Sequence, residues 1–357
     1  MANILRSCLF LVLLLAGCAT EPEKPTRTYR MGMQHSAPRF DDHELAIQTL
    51  LLWTPRADAA IISTEVPWEE LLAGMSPVTY ANDNYKDLVQ YYRTNNFELW
   101  IYIDPQNGLD RTSDALELQH AGKSIADSDM QHLYRRFVVV MDSLFQPEHF
   151  GLALETNLIR DAAPPAIYGG VKQAVQDAAN DLQTANSRAK LSVSVQVDHA
   201  WGKLVGGAYT GVAKDFIDFP FIEELGLSSY PYFGFETPDE IPINYYSKLV
   251  EGKNIPVFIA EGGWTSQSVT TPDRSFVSSP DLQEKYFRHH KKLLDEVNAI
   301  ALFQLTFTDI DLDHLADDVP ESIGYFAFLG LLDKELNSKP ALQAWDALFK
   351  HRLKENK

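Results

Sequence analysis

Two glutamates stand out because each closes an apolar run. Phe150-Gly151-Leu152-Ala153-Leu154 leads to Glu155, and Ile255-Pro256-Val257-Phe258-Ile259-Ala260 leads to Glu261, which is followed by Gly262-Gly263-Trp264. A short apolar stretch between turn signals reads as a buried strand. A carboxylate at the C-terminal end of such a strand reads as functional when parallel strands close into a ring, because chemistry collects at that rim. Two carboxyl groups facing each other across the mouth have the equipment for acetal cleavage. One protonates the leaving oxygen; the other attacks carbon or activates water. A lone Glu is explained as well by capping a strand or pairing with a buried Arg, so the pairing carries the reading.

Other side chains fall where they can hold a substrate. Trp68, Trp201 and Trp264 follow predicted strand ends, where an indole face can stack on a sugar ring, although packing beneath loops accounts for each equally well. Tyr230 and Tyr232 are placed to donate to Glu261, and Asp104, His199 and Asn157 to hold hydroxyls. His35, Gln304 and Asp309 also fall at predicted rims, where a single His or Asp is more often structural.

Sharper motifs fail on inspection. In Asp309-Ile310-Asp311-Leu312-Asp313, His314 stands where a calcium loop needs Gly and Pro320 where it needs Glu. Gly122-Lys123-Ser124 lacks the upstream Gly of a phosphate loop, no Gly-x-Ser-x-Gly elbow is present, and His289-His290 are adjacent on a predicted helix and diverge. No metal and no cofactor is expected.

Positioning such a pair requires a ring of strands, and the chain supplies strand-like and helix-like segments in alternation. Strands are expected at 29–34, 59–63 (running on to Glu65), 97–103, 150–155, 191–197, 224–229, 255–261 and 299–306. Helices are expected at 41–53, 80–95, 128–145, 167–187, 239–251, 280–298 and 340–353. Eight strands with interleaved helices is the count for a single α/β domain folded as a closed (β/α)8 barrel with loop insertions, spanning residues 29–355. An open doubly wound sheet competes, but Gly206-Gly207-Ala208-Tyr209-Thr210-Gly211 lacks the glycine spacing of a dinucleotide site.

The layout resembles the clan of retaining (β/α)8-barrel glycoside hydrolases, which carry an acid/base Glu after the fourth strand and a nucleophilic Glu after the seventh. Three stretches bring it nearest to the endo-β-1,4-galactanase-like members: Gly226-Leu227-Ser228-Ser229-Tyr230-Pro231-Tyr232, Pro256 to Trp264, and Gly330-Leu331-Leu332-Asp333 running on to Lys339-Pro340-Ala341. The resemblance implies Glu155 as general acid/base and Glu261 as nucleophile in the cleavage of a β-linked oligo- or polysaccharide. It departs at Leu154, where the clan usually has an Asn that binds the sugar 2-hydroxyl. In this scheme Glu155 is expected to keep its proton near neutral pH while Glu261 stays ionised beside donors. A carbohydrate-binding barrel without catalysis is the alternative.

The chain has 357 residues, of which 45% are hydrophobic, and a formal net charge of −18. That charge argues against a nucleic-acid partner, which calls for clustered Lys and Arg. A monomer is expected. Residues 1–18 read as a signal peptide: Arg6 supplies the positive charge, and Cys8 to Ala16 is apolar but too short to span a bilayer. Leu15-Ala16-Gly17-Cys18 resembles the bacterial lipoprotein box. It implies lipidation at Cys18, palmitate included, and a membrane anchor, and Ala19 points to the outer membrane. Removal of the signal leaves Cys18 alone, so neither an intrachain disulfide nor a Cys-based zinc site is expected. Residues 19–28, rich in Glu, Pro, Lys and Thr, read as a disordered tether.

Overall fold

In the computed structural model, which describes residues 25–270, 274–316 and 319–354, eight parallel strands close into a barrel. In chain order they are β1 (Arg30–Gln34), β2 (Ala59–Glu65), β3 (Glu98–Asp104), β4 (His149–Gly151), β5 (Lys190–Gln196), β6 (Glu224–Ser229), β7 (Val257–Gly262) and β8 (Ala301–Gln304). Each pairs with its neighbour in sequence, and β8 closes on β1 with Ala301 opposite Arg30. The principal helices are α1 (His43–Trp53), α2 (Pro77–Thr94), α3 (Ser128–Phe145), α4 (Pro165–Thr184), α5 (Pro280–Val297) and α6 (Pro340–Phe349). Three begin with Pro after a Ser or Lys whose backbone is extended, as at α5, where Ser279 accepts from the Leu282 N–H.

Strand alternation sorts side chains into two sets. Met31, Met33, Leu99, Ile101, Val193 and Val195 pack outward into the layer beneath the helices. Ala59, Ile61, Trp100, Tyr102, Phe258, Ala260, Ala301 and Phe303 fill the barrel itself. Tyr102 needs unusual room. A Cβ on Gly151 or Gly226 would collide with its ring or hydroxyl, so glycine is required at both places. The Tyr102 hydroxyl is then satisfied by Ser192 Oγ at 2.8 Å. Below this layer the barrel is closed by charge: His149 stacks on Trp100 with centroids 3.6 Å apart and places Nδ1 2.7 Å from Glu224 and Nε2 3.0 Å from Glu98, which Arg30 holds at 2.5 Å.

Three expectations are corrected. The helix at 239–251 is absent; the segment makes only 3-10 turns at Pro238–Glu240 and Ser247–Val250, because Pro242 interrupts the backbone ladder that a helix would need. The fourth strand ends at Gly151 rather than at Glu155. Residues 25–28 of the tether are ordered: Thr26 and Arg27 pair with Arg352 and Leu353, and Arg27 is buried in an ion pair with Asp58 at 2.5 Å. Cys18, the signal segment and the start of the tether lie outside the described residues. Among the described residues, no helix is long and apolar enough to cross a membrane.

Candidate active site

The C-terminal mouth of the barrel holds a cleft of about 210 Å³, lined by side chains from β1, β2 and β3 and the loops beyond β3, β4, β6 and β8, together with Glu261 of β7. Glu155 and Glu261 both reach it, by two different irregularities. On β7, Phe258 and Ala260 point into the barrel, so plain alternation would turn Glu261 outward. The register shifts between β6 and β7, however: Leu227 pairs with Ile259 but Ser228 pairs with Glu261. This bulge turns Glu261 to the inside beside Ser228, the local re-aiming that bulges provide near active sites. On the other side, the chain leaves the ladder after Gly151, Leu154 packs into the barrel interior, and Glu155 takes a left-handed backbone conformation (φ 52°) before the short helix Thr156–Ala162. A non-glycine residue pays for that conformation in local strain. The backbone N–H of Glu155 is anchored on Ser194 Oγ at 3.0 Å.

The two carboxyl groups meet at one atom. Ser228 Oγ lies 2.6 Å from Glu155 Oε1 and 3.0 Å from Glu261 Oε1. The two Oε1 atoms are therefore separated by no more than the sum of these distances, which falls short of the roughly 6.5 Å at which the inverting range begins. Arg111, from the loop after β3, reaches in with Nε 3.0 Å from Glu155 Oε2 and Nη1 2.5 Å from Asp104 Oδ2. Burial opposes the Arg111 charge, but the two carboxylates outweigh it and its pKa is raised. Asp104 is pushed up by its own burial despite Arg111.

Burial, and next the charge of Glu155, push Glu261 up to about 7, whereas the guanidinium sits directly on Glu155. Glu65, exposed at the end of β2, accepts from the Gly108 N–H with Oε1 at 2.8 Å. The lining thus carries four carboxyl groups, Glu65, Asp104, Glu155 and Glu261, and one cation. Among the described residues, no group of three or more His, Cys, Asp or Glu is arranged to hold a metal ion.

Of the other expected site residues, Asp104 and Tyr230 line the cleft. Tyr230 faces Glu261, and burial, then the Glu261 and Glu155 charges, raise its phenol; its backbone N–H is fixed on Asp198 Oδ2 at 2.8 Å. The rest are displaced. Tyr232 is buried and donates to the Tyr325 carbonyl at 2.9 Å. Trp264 is fully buried against Tyr286, with its indole N–H on Ser278 Oγ, and Trp68 is buried at the start of the helix Trp68–Leu72. Trp201 stacks on Tyr245 and donates to its carbonyl. His199 pairs with Asp161 at 2.9 Å, and Asn157 is spent on the backbone of Gln196, donating to its carbonyl and accepting from its N–H. His35 and Gln304 do not line the cleft, and Asp309 is paired with Lys339 at 2.5 Å. Sequence reasoning missed Arg111 and Ser228. Only strand parity gave a signal for Ser228: it shares the inward face of β6 with Glu224 and Gly226.

No family model matches this sequence, and no curated protein matches it. Among solved structures, an exo-β-1,4-mannosidase from Opitutaceae bacterium strain TAV5 superposes with a TM-score of 0.64 at 13% identity, over 91% of this chain and 60% of that one. A β-glucuronidase from an uncultured Clostridium sp. gives 0.57 at 13% identity, over 90% of this chain and 50% of that one. A β-glucosidase from Exiguobacterium marinum gives 0.60 at 12% identity, over 91% and 98%. These likenesses establish the fold. The chain spans only half to three-fifths of the length of the first two proteins and nearly all of the third.

Proposed function

We propose that this protein is a retaining glycoside hydrolase that cleaves a β-linked oligo- or polysaccharide, with Glu155 as acid/base and Glu261 as nucleophile. The observation that carries the reading is the convergence of both carboxyl groups on Ser228 Oγ inside an open cleft. That proximity suits direct attack by one carboxylate and leaves no room between them for a water positioned for inversion. Tyr230 stands beside Glu261 to steady the carboxylate as it reacts. The barrel shared with a mannosidase, a glucosidase and a glucuronidase supports a sugar substrate of β configuration. Among the described lining residues Arg111 is the cation, and it is consumed by Asp104 and Glu155, which favours a neutral sugar over a uronate. The galactanase-like sequence stretches make β-1,4-galactan a first substrate to try. The buried Trp side chains supply no stacking platform in the cleft, which weighs against the purely binding alternative.

Hydrolysis of a panel of aryl β-glycosides, with the anomer of the first-formed product read by proton NMR, tests the reading. Release of the β anomer is expected, with turnover abolished by Glu261→Gln. An α first product, or no turnover of any glycoside or galactan, sinks it. The lipoprotein box adds a second part: the mature protein is anchored through Cys18 in the cell envelope, at the outer membrane. Membrane fractionation of a Cys18→Ser variant checks this, with release from the membrane expected.

A further inference from the structure

Ser228 is an unusual residue to find between two acids. It is fully buried on the inward face of β6, and its single hydroxyl lies within hydrogen-bonding distance of both. A hydroxyl has one proton to give and lone pairs with which to accept. If both carboxyl groups were ionised, one of the two contacts would set oxygen against oxygen with no hydrogen between them, in a buried site where like charges already repel. The geometry is satisfied when one acid is protonated and donates to Ser228 while Ser228 donates to the other. The surrounding charges decide which is which. Among the described residues Arg111 is the cation of the cleft and touches Glu155, whereas Glu261 faces the Tyr230 phenol and shares the cleft with Asp104 and Glu65.

We propose that Ser228 is a proton relay and positioning residue that holds one shared proton on the Glu155–Glu261 pair, on Glu261 before substrate binds, and passes it to Glu155 when substrate enters. In the relay the Glu261 O–H bond breaks and its proton goes to Ser228 Oγ. In the same motion the Ser228 O–H bond breaks and its proton goes to Glu155 Oε1. Ser228 is left unchanged, Glu261 becomes the carboxylate and Glu155 the acid, so the net charge of the pair does not change. A sugar in the cleft favours this exchange by drawing Arg111 off Glu155 or screening it. The proposal deepens the hydrolase reading by supplying the step that converts the resting protonation into the working one.

The test has two arms, one independent of turnover. In protein labelled with 13C at the Glu side-chain carboxyl, with resonances assigned through Glu155→Gln and Glu261→Gln, the wild-type spectrum at pH 6 is expected to show Glu261 protonated and Glu155 ionised. Both ionised, or the proton on Glu155, overturns the proposal. In the kinetic arm, Ser228→Ala is expected to lose ten-fold or more in kcat/KM on glycosides whose leaving group needs protonation, and only a few-fold on dinitrophenyl glycosides that need none. Ser228→Thr, which keeps the hydroxyl, is expected to restore most of the loss. An equal loss across leaving groups marks a merely structural residue and overturns the relay. If the protein cleaves no glycoside, the hydrolase reading fails by itself, and the carboxyl spectrum still decides where the proton lies.

Discussion

The two ends of the barrel each gather a cluster of charges, and they are built on opposite terms. At the bottom, His149 places both ring nitrogens on carboxylates and Arg30 completes Glu98, so cations and anions alternate and every charged group has a partner. At the mouth, among the described residues, four carboxyl groups share one guanidinium, and no cation is in contact with Glu261. The lower cluster is a closed network that is satisfied without a ligand. The upper one sets buried carboxyl groups against one another, the kind of environment that shifts acid pKa values at functional sites. Substitutions at the two ends should therefore separate stability from activity with opposite signs.

The largest effect belongs to the mouth. Replacing Glu261 or Glu155 with Gln is expected to lower kcat/KM by about three orders of magnitude or more, since the pair acts as a unit. Stability should move the other way in Glu261→Gln. The folded-state value near 7 lies above the ordinary 4.5, so the native form binds the extra proton between these values, and the cost of Glu261 builds as pH rises from 4.5 to 7 and is complete above it. Urea titrations at pH 8 are expected to find the Gln variant more stable than wild type, and at pH 4 the gain should vanish. A loss of stability at pH 8 would break the comparison, because the mouth would then be as settled as the floor.

Arg111→Met comes next. Removing the guanidinium leaves Asp104 and Glu155 buried without their cation, and a broken buried pair costs about 3–5 kcal/mol. The measurement is the denaturation midpoint at neutral pH, with partial recovery expected in Arg111→Met combined with Asp104→Asn. No recovery would mean that Arg111 braces the loop rather than the charges.

At the floor, His149→Gln is expected to cost about 1.5–3 kcal/mol, the worth of a charged hydrogen bond, and to leave kcat/KM on any accepted glycoside unchanged. Burial disfavours the His149 charge, but the bonds to Glu224 and Glu98 outweigh it and raise the pKa. Its contribution is thus full below the ordinary 6.5 and fades as pH rises through the folded value. Glu98 works from the other side: His149 and Arg30 hold it below its ordinary 4.5 despite burial, so its share appears above that value and is lost on acidification. The difference between wild type and variant should therefore be largest between about 4.5 and 6.5 and shrink at pH 9. A flat difference across this range would remove charge from the account of the floor.

Much of this contrast was legible in the sequence, and the illegible part has identifiable causes. Strand and helix order came through because Leu191 to Val197 and the 128–145 stretch carry their periods openly, and Glu155 and Glu261 could be marked as rim residues. Their facing each other was expected, but the route to it could not be read, because it depends on a bulge at β7 and a left-handed residue after β4, and neither has a sequence signature as strong as Gly or Pro. The pattern after β6 misled: spaced apolar residues at 241–250 suggested a helix, and Pro242 overrode them. The indoles misled for another reason. A Trp just past a strand end can turn into the cleft or under the loop, and Trp68 and Trp264 turn under, where burying a large apolar surface outweighs offering it to a ligand.

That last point gives the smallest and sharpest effect. Tyr232 was expected at the substrate, but it packs edge-on to Trp264 and Phe276 and spends its hydroxyl on the Tyr325 carbonyl. Tyr230, two residues earlier, lines the cleft. Tyr232→Phe removes one buried hydrogen bond and little packing, a loss of about 1 kcal/mol, and should leave KM and kcat alone. Tyr230→Phe removes a hydroxyl that faces Glu261, so it should lower kcat with little change in the unfolding midpoint. Steady-state kinetics and thermal denaturation of the two variants side by side decide the matter. A rise in KM with Tyr232→Phe would extend the cleft beyond its present lining, toward the loop at Tyr325. Equal effects from the two would mean that the boundary between packing and chemistry does not run between these neighbouring rings.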